Sequence, residues 1–453
     1  MLVSYEYKGK TFEFSERNSR TENNIYTIIV GKNGTGKSRL LKSIIQHIIK
    51  RREDGEEYVG FFSEWNQQLS ALKTNYNPEN VIAVSTSPFD KFPLRHKHQE
   101  SDFYSYLGLR NLRSTDLGMA YMARIFGSLT QSILSDHYRL EKISTVLEYL
   151  GYNPILSARY HLELPPRIII ETLESKNPIE SFISLLTDRS RNIILNRVFR
   201  NFFDDNDEPN VEKVSRVLEI YERISSRTSK PRIEVYLEER GVFLSYETIT
   251  IEDLLYLEEL GVARLRDITL TKANGNTFRI GDASSGEQSV VMSILGIASQ
   301  ISNGSLICID EPEVCLHPEW QERYIDLLIS TFRDYFGCHF IIATHSPLMV
   351  SKLKNENCYL MAMEDGYLVN ASKINKKSVD FQLANTFKTP GFKNEYLSRE
   401  LISILSQFGA EGRIESSTLN KLKDILKLKN QIDDSDPVKR LMSMAEEALK
   451  EIS

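Results

Sequence analysis

The sequence is short of paired cysteines, of long apolar runs and of excess positive charge, and each shortage removes a class of function. Its four cysteines, Cys308, Cys315, Cys338 and Cys358, show no CxxC spacing, which argues against a zinc site. Two of them lie in apolar, strand-like runs, LICID and GCHFIIA, where a buried free thiol in a reducing compartment is the ordinary state. No run approaches the ~18–20 apolar residues that a membrane span needs. The opening MLVSYEYKGK lacks the basic-then-apolar layout of a secretory signal. A cytoplasmic protein without a membrane partner is therefore expected. The formal net charge is −6, so no global basic field advertises nucleic acid, and only a local basic face could do so.

What is present is ordinary globular material, 41% apolar and 26% charged over 453 residues. That length suffices for roughly two to four structural units with a substantial core. VSYEY and TFEF alternate like short strands around the turn KGK. The compact run IYTIIV stops at GKNGTGKS and continues as RLLKSIIQHIIK, where Leu40, Leu41, Ile44, Ile45, Ile48 and Ile49 recur at helical spacing. This reads as strand, glycine loop, helix. A second buried strand, VIAVST, ends in SPFDKF. From about residue 100 to 228 the pattern predicts long mixed helices, such as LEKISTVLEYL and VEKVSRVLEIYERI, without the sustained heptads of a coiled coil. Strand-like alternation returns in PRIEVYLEERGVFLSY, then in a hairpin RLRDITLTKANGNTFRI with Asn-Gly at its turn. The buried strands LICID and HFIIAT and a closing hairpin, YLMAMEDGYLVN, follow. The tail is helical and charged. Its apolar stripe Leu419, Leu422, Ile425 and Leu426 should pack within the chain or on a neighbour, with docking of a partner as the alternative.

Three strand ends carry chemistry. Gly31-x4-Gly36-Lys37-Ser38 satisfies the phosphate-loop pattern and sits between strand and helix, as its mechanism demands. A phosphate tail needs close backbone N–H groups and a helix N-terminus, and Gly31, Asn33, Gly34 and Gly36 are the candidate cradle. Lys37 could reach the terminal phosphates and the Ser38 hydroxyl could hold Mg²⁺. LICIDEPEV ends an apolar strand in Asp310, a candidate for Mg²⁺, and Glu311, a candidate to polarise the attacking water. HFIIATHS places His345 at a third strand end, where an imidazole could sense a γ-phosphate. His96, His98 and His317 read as surface residues. The turn in GDASSGEQSVVMSIL opens a helix, and Ser284 or Ser285 could cap it, with Glu287 or Gln288 reaching back as a capping box.

The order GKNGTGKS, SSGEQ, LICIDEPE, ATHS resembles the ABC-type ATPases: phosphate loop, signature, acidic strand, switch histidine. Ser285, Gly286 and Gln288 fall on signature positions, Ser284 stands where leucine is usual, and Glu287 replaces a second glycine. The resemblance implies that the signature of one subunit faces the γ-phosphate held by the phosphate loop of another, a contact suited to a helix start with free N–H donors. The long stretch between Lys37 and Gly286 resembles the RecF, SMC and OLD-type ATPases, in which an arm is inserted into the head. VIAVSTSPFDKF, SYLGLR and EPEVCLHPEWQ resemble most the bacterial anti-phage defence ATPases, the Septu ATPases of the PtuA kind among them.

The fold this implies is α/β: a bilobed ABC-type ATPase head, a phosphate-loop sheet with an antiparallel β subdomain, an inserted helical arm and a helical C-terminal appendage. The expected divisions are 1–90 and 265–375 for the two lobes of the head, 91–264 for the arm and 376–453 for the appendage. The resemblance implies ATP hydrolysis with Mg²⁺, a homodimer or higher homo-oligomer with composite sites, and a separate effector nuclease, HNH type among the candidates. The tail shows neither a DxD after an apolar strand nor an HNH-like cluster, so no nuclease activity of its own is expected. No Q-loop glutamine stands at the usual place between strand and arm: Gln67 and Gln68 precede the strand, and Gln99 is the candidate. Arg189, Arg191, Arg197 and Arg200 on the arm, with Lys91, Arg95 and Lys97, could touch DNA, although a solvated helix face is the commoner use of such residues. The competing function is a RecF-like ATP-dependent DNA clamp in repair.

Overall fold

The computed structural model describes residues 1–16, 22–53, 71–94, 103–110, 117–136, 138–187, 198–204, 206–225, 232–238, 240–314, 316–353, 357–374, 377–411 and 416–452. The chain divides into two compact units, Met1–Arg110 with Ile301–Ser453, and Asn111–Gln300.

The first unit is built on a seven-stranded sheet in the order β15-β14-β3-β13-β12-β5-β6. Its core strands, β3 (Ile25–Val30), β5 (Val81–Ser85), β12 (Leu306–Asp310) and β13 (His339–Thr344), are buried at every residue. They are mutually parallel, as is β14 (Cys358–Ala362) on β3 and β6 (Tyr104–Gly108) on β5. Parallel strands covered on both faces need continuous apolar sequence, which IYTIIV, VIAVS, LICID and HFIIAT supply. β15 (Leu368–Asn370) closes the edge as an antiparallel hairpin partner of β14. One face is covered by the helix Lys37–Glu53, whose Leu40, Leu41, Ile44, Ile45 and Ile48 enter the core. A small antiparallel sheet, β2-β1-β4 (Lys10–Glu13, Leu2–Tyr7, Leu72–Thr74), adds Leu2, Tyr5 and Phe12 to the same core. Its hairpin turns at Lys8 and Gly9, both left-handed at φ 51° and 74°, the backbone that a tight two-residue turn requires.

The tail forms helices Glu395–Glu411, Ser416–Leu426 and Pro437–Ile452 around a core of their own. Leu422 and Ile425 of the apolar stripe are buried in it and Leu426 packs against it. Cys308, Cys338 and Cys358 are buried and form no disulfide among the described residues. No helix among the described residues is long and apolar enough to cross a membrane.

The second unit carries a five-stranded antiparallel sheet, β11-β10-β7-β8-β9 (Thr277–Arg279, Ala263–Lys272, Tyr152–Leu162, Arg232–Glu238, Gly241–Leu244). Helices Leu117–Ser135, Tyr138–Tyr149, Val211–Ser225 and Ser285–Gln300 accompany it. Two strands correct the helical expectation for residues 100 to 228. β6 pairs in register with β5, and β7 lies at the centre of the antiparallel sheet. β7 buries Leu156, Ala158, Tyr160 and Leu162 at alternate positions, a period of two that the preceding helix LEKISTVLEYL overshadows.

Candidate functional site

Where β3 ends, residues 31–36 form the glycine loop. Gly34 and Gly36 adopt φ 81° and 100°, a region that L side chains avoid. Gly31 is needed for space, since a Cβ there would lie 2.9 Å from Thr35 Oγ1 and 3.0 Å from Met363 Cβ. Thr35 closes the loop by donating its hydroxyl (2.8 Å) and amide (3.3 Å) to the Lys32 carbonyl. Asn33 is exposed in the turn. The helix then begins at Lys37, so its unpaired N–H groups and positive dipole end face the loop. This is an anion cradle.

Lys37 is buried, 4% exposed, and its Nζ donates to the Gly31 carbonyl (2.9 Å) and to His345 Nδ1 (3.0 Å). Burial pushes its pKa down, opposed by the nearby Glu311, Glu313, Asp310 and Glu364 carboxylates. Beside it, Ser38 Oγ donates to Asp310 Oδ1 over 3.0 Å. Asp310 is the last, buried residue of β12, and burial pushes its carboxyl up to about 7, with the Ser38 hydroxyl opposing and Glu311 reinforcing.

Glu311 adopts φ 50°, left-handed backbone that costs a non-glycine residue roughly 1–2 kcal/mol. Its amide still donates to the Ala343 carbonyl, and its carboxylate meets His345, with Nε2 2.9 Å from Oε1. That hydrogen bond holds the Glu311 carboxyl below its ordinary pKa. Nε2 faces the Glu311 carboxylate and so donates to it, while Nδ1 lies 3.0 Å from Lys37 Nζ and 3.1 Å from the Gly31 carbonyl oxygen. The hydrogen-bonded chain Lys37–His345–Glu311 and the pair Ser38–Asp310 thus sit side by side, joined through neighbouring residues of the chain, at the C-terminal ends of parallel strands, where open α/β sheets bind ligands.

Ser285, Gly286 and Gln288 belong to the other unit. The Ser284 hydroxyl caps the helix Ser285–Gln300 by accepting the Glu287 amide over 3.2 Å. The return half of the expected capping box is not made. The Glu287 carboxylate instead accepts the Tyr152 hydroxyl (3.0 Å) and lies 3.5 Å from Lys272 Nζ. Gly286 is buried, Ser284 and Ser285 are exposed, and Gln288 Nε2 approaches Met122 Sδ at 3.6 Å.

His317 caps the helix Pro318–Thr331, and Lys91 and Arg200 are exposed. Gln67, Gln68, Gln99, His96, His98, Arg95, Lys97, Arg189, Arg191 and Arg197 lie outside the described residues. The sequence reading missed Glu313, which accepts the His345 main-chain amide, and Asp90, buried against Tyr106 and Arg110. The acidic repeat in DEPE was the available signal for Glu313.

Residues 6–350 match the AAA ATPase domain family. The chain is 22% identical over 379 residues to the Retron Ec83 probable ATPase of Escherichia coli, covering 74% of this chain and 66% of that protein. It is 26% identical over 339 residues to protein ea59 of Escherichia phage lambda, covering 74% and 48%. The chain thus spans less than two thirds of the length of these relatives. Among solved structures, the Smc head domain derived from Pyrococcus furiosus, with an extended coiled coil and bound to the C-terminal domain of ScpA, aligns at 13% identity, covering 82% and 98%, with a TM-score of only 0.29.

Proposed function

Because the chain belongs to the AAA ATPase domain family, we propose that it is an ABC-type ATPase that hydrolyses ATP as a switch. The observation that carries this reading is the convergence of two hydrogen-bonded sets, Lys37–His345–Glu311 and Ser38–Asp310, beside a glycine loop and a helix start. The loop amides hold the β- and γ-phosphates, and Lys37 exchanges its hydrogen bonds to Gly31 and His345 for phosphate oxygens. Ser38 and Asp310 offer an all-oxygen donor set 3.0 Å apart, which fits Mg²⁺. When bound, that ion neutralises phosphate charge. Glu311, kept ionised by its hydrogen bond from His345, is the base for the attacking water. His345 touches both Lys37 and Glu311, and so reports whether a γ-phosphate is present.

In this reading the signature turn at Ser285, Gly286 and Gln288 acts on the ATP of a second copy, so that nucleotide closes a homodimer or larger oligomer and hydrolysis reopens it. The cycle gates a separate nuclease, HNH type among the candidates, in anti-phage defence. The likeness to a retron ATPase and a phage protein supports that setting. Lys37→Ala tests the base of the proposal: calorimetry should show ATP affinity lower by about 100-fold, as loss of a charged phosphate contact implies. Unchanged affinity would refute the assignment of the loop.

A further inference from the structure

β12 and β13 pair up to Asp310 and Ala343, and the Glu311 amide makes the last main-chain bond between them, to the Ala343 carbonyl. Beyond that point the strands part, which opens the crevice that a ligand would enter. The His345 amide then has no strand partner, and a buried N–H without an acceptor is rare. Left-handed Glu311 and the turn at Pro312–Val314 send the chain back on itself. The Glu313 carboxylate is thereby placed against the end of β13, where its Oε1 accepts the His345 amide. Its Oε2 is buried with no hydrogen bond to the described residues. Glu313 makes no hydrogen bond to Lys37 or Ser38 among the described residues; its carboxylate accepts the main-chain amide of the histidine whose ring joins Lys37 to Glu311, and the Thr344 hydroxyl beside it also stabilises its ionised form.

We propose that Glu313 is a positioning residue for ATP hydrolysis: by accepting the main-chain amide of His345 it fixes the imidazole between Glu311 and Lys37. This rests on the assignment of the nucleotide site above. Its role is reach, not charge. Thr344 on one side is buried and Ser346 on the other caps the helix Pro347–Ser351, so the amide at 345 is the adjustable point of the segment. A shift there moves the ring relative to both its partners, and misplacement of about 1 Å can cost up to roughly 100-fold in rate.

Two substitutions separate reach from charge. Glu313→Gln keeps the length and an acceptor oxygen, and should leave kcat within about 3-fold of the parent. Glu313→Asp keeps the charge but withdraws the acceptor by one methylene, and should lower kcat by roughly 10-fold or more with ATP affinity unchanged by calorimetry. The ¹⁵N resonances of the His345 ring should shift in the Asp variant and hold in the Gln variant, a readout that does not need turnover. If the parent fails to hydrolyse ATP, the site assignment fails, and the ring resonances still decide the role of Glu313. The opposite ranking, equal activity of both variants, equal loss in both, or an unmoved His345 signal in the Asp variant would each overturn the proposal.

Discussion

The two units carry their chemistry in opposite ways. In Met1–Arg110 with Ile301–Ser453, polar and charged groups are held against each other at parallel strand ends: Lys37 on His345, His345 on Glu311, Ser38 on Asp310. In Asn111–Gln300 the signature turn carries its chemistry outward, with Ser284 and Ser285 exposed while Glu287 is tied to Tyr152 and Lys272. The first arrangement can hold a phosphate and activate water. The second offers helix-start donors and a hydroxyl without a base of its own. In the proposed reading, catalysis rests on one unit and gating on the other, and variants in each unit should therefore fail differently.

The largest expected contrast is kinetic. Glu311→Gln should lower turnover by roughly 10²- to 10⁴-fold with ATP binding intact, the range a positioned base supplies. Full hydrolysis by this variant in a single-turnover assay would remove Glu311 as the base. Ser285→Arg, in the other unit, should abolish turnover as well, yet leave ATP affinity per chain unchanged by calorimetry. A parallel loss of affinity would erase the contrast.

A smaller effect concerns pH. Burial pushes the Glu258 carboxyl, beside the Tyr160 hydroxyl, up from its ordinary range to about 7. The folded state therefore binds this proton more tightly than the unfolded chain, and its contribution to stability is present at acid pH and lost as pH rises toward 7. Glu258→Gln should be more stable than the parent at pH 8 by ~2 kcal/mol in urea unfolding and nearly equal to it at pH 4. A gain of the same size at both pH values would contradict the assignment.

The smallest effect reads the backbone at Glu311. Glu311→Gly and Glu311→Ala delete the same side-chain contacts, but only glycine accepts φ 50° freely. The Gly variant should exceed the Ala variant in stability by about 1 kcal/mol. The reverse order would mean that this backbone carries no strain.

These experiments fall on features of unequal visibility in the sequence. The phosphate loop, β12 and β13 were legible because buried parallel strands read as unbroken apolar runs, and the polar chemistry begins where each run stops. β7 was not. Its buried Leu156, Ala158, Tyr160 and Leu162 alternate with polar residues and include a small side chain, and the strand directly follows a strongly helical segment. β6, YSYLG, is too short and too rich in turn residues to stand out. The acidic repeat in DEPE marks Glu313, but its role was hidden for another reason. Its partner is a backbone amide at residue 345, and no residue type marks a main-chain donor. Nor does glutamate at 311 announce a left-handed backbone.

The account depends most on each triphosphate being completed by the signature of another copy. Mixing Lys37→Ala chains with Ser285→Arg chains tests this directly, since each supplies the half that the other lacks. Neither variant should hydrolyse ATP alone, and the mixture should recover part of the parental activity. A mixture as inactive as its components, or a Ser285→Arg chain that turns over ATP at the parental rate by itself, would contradict it.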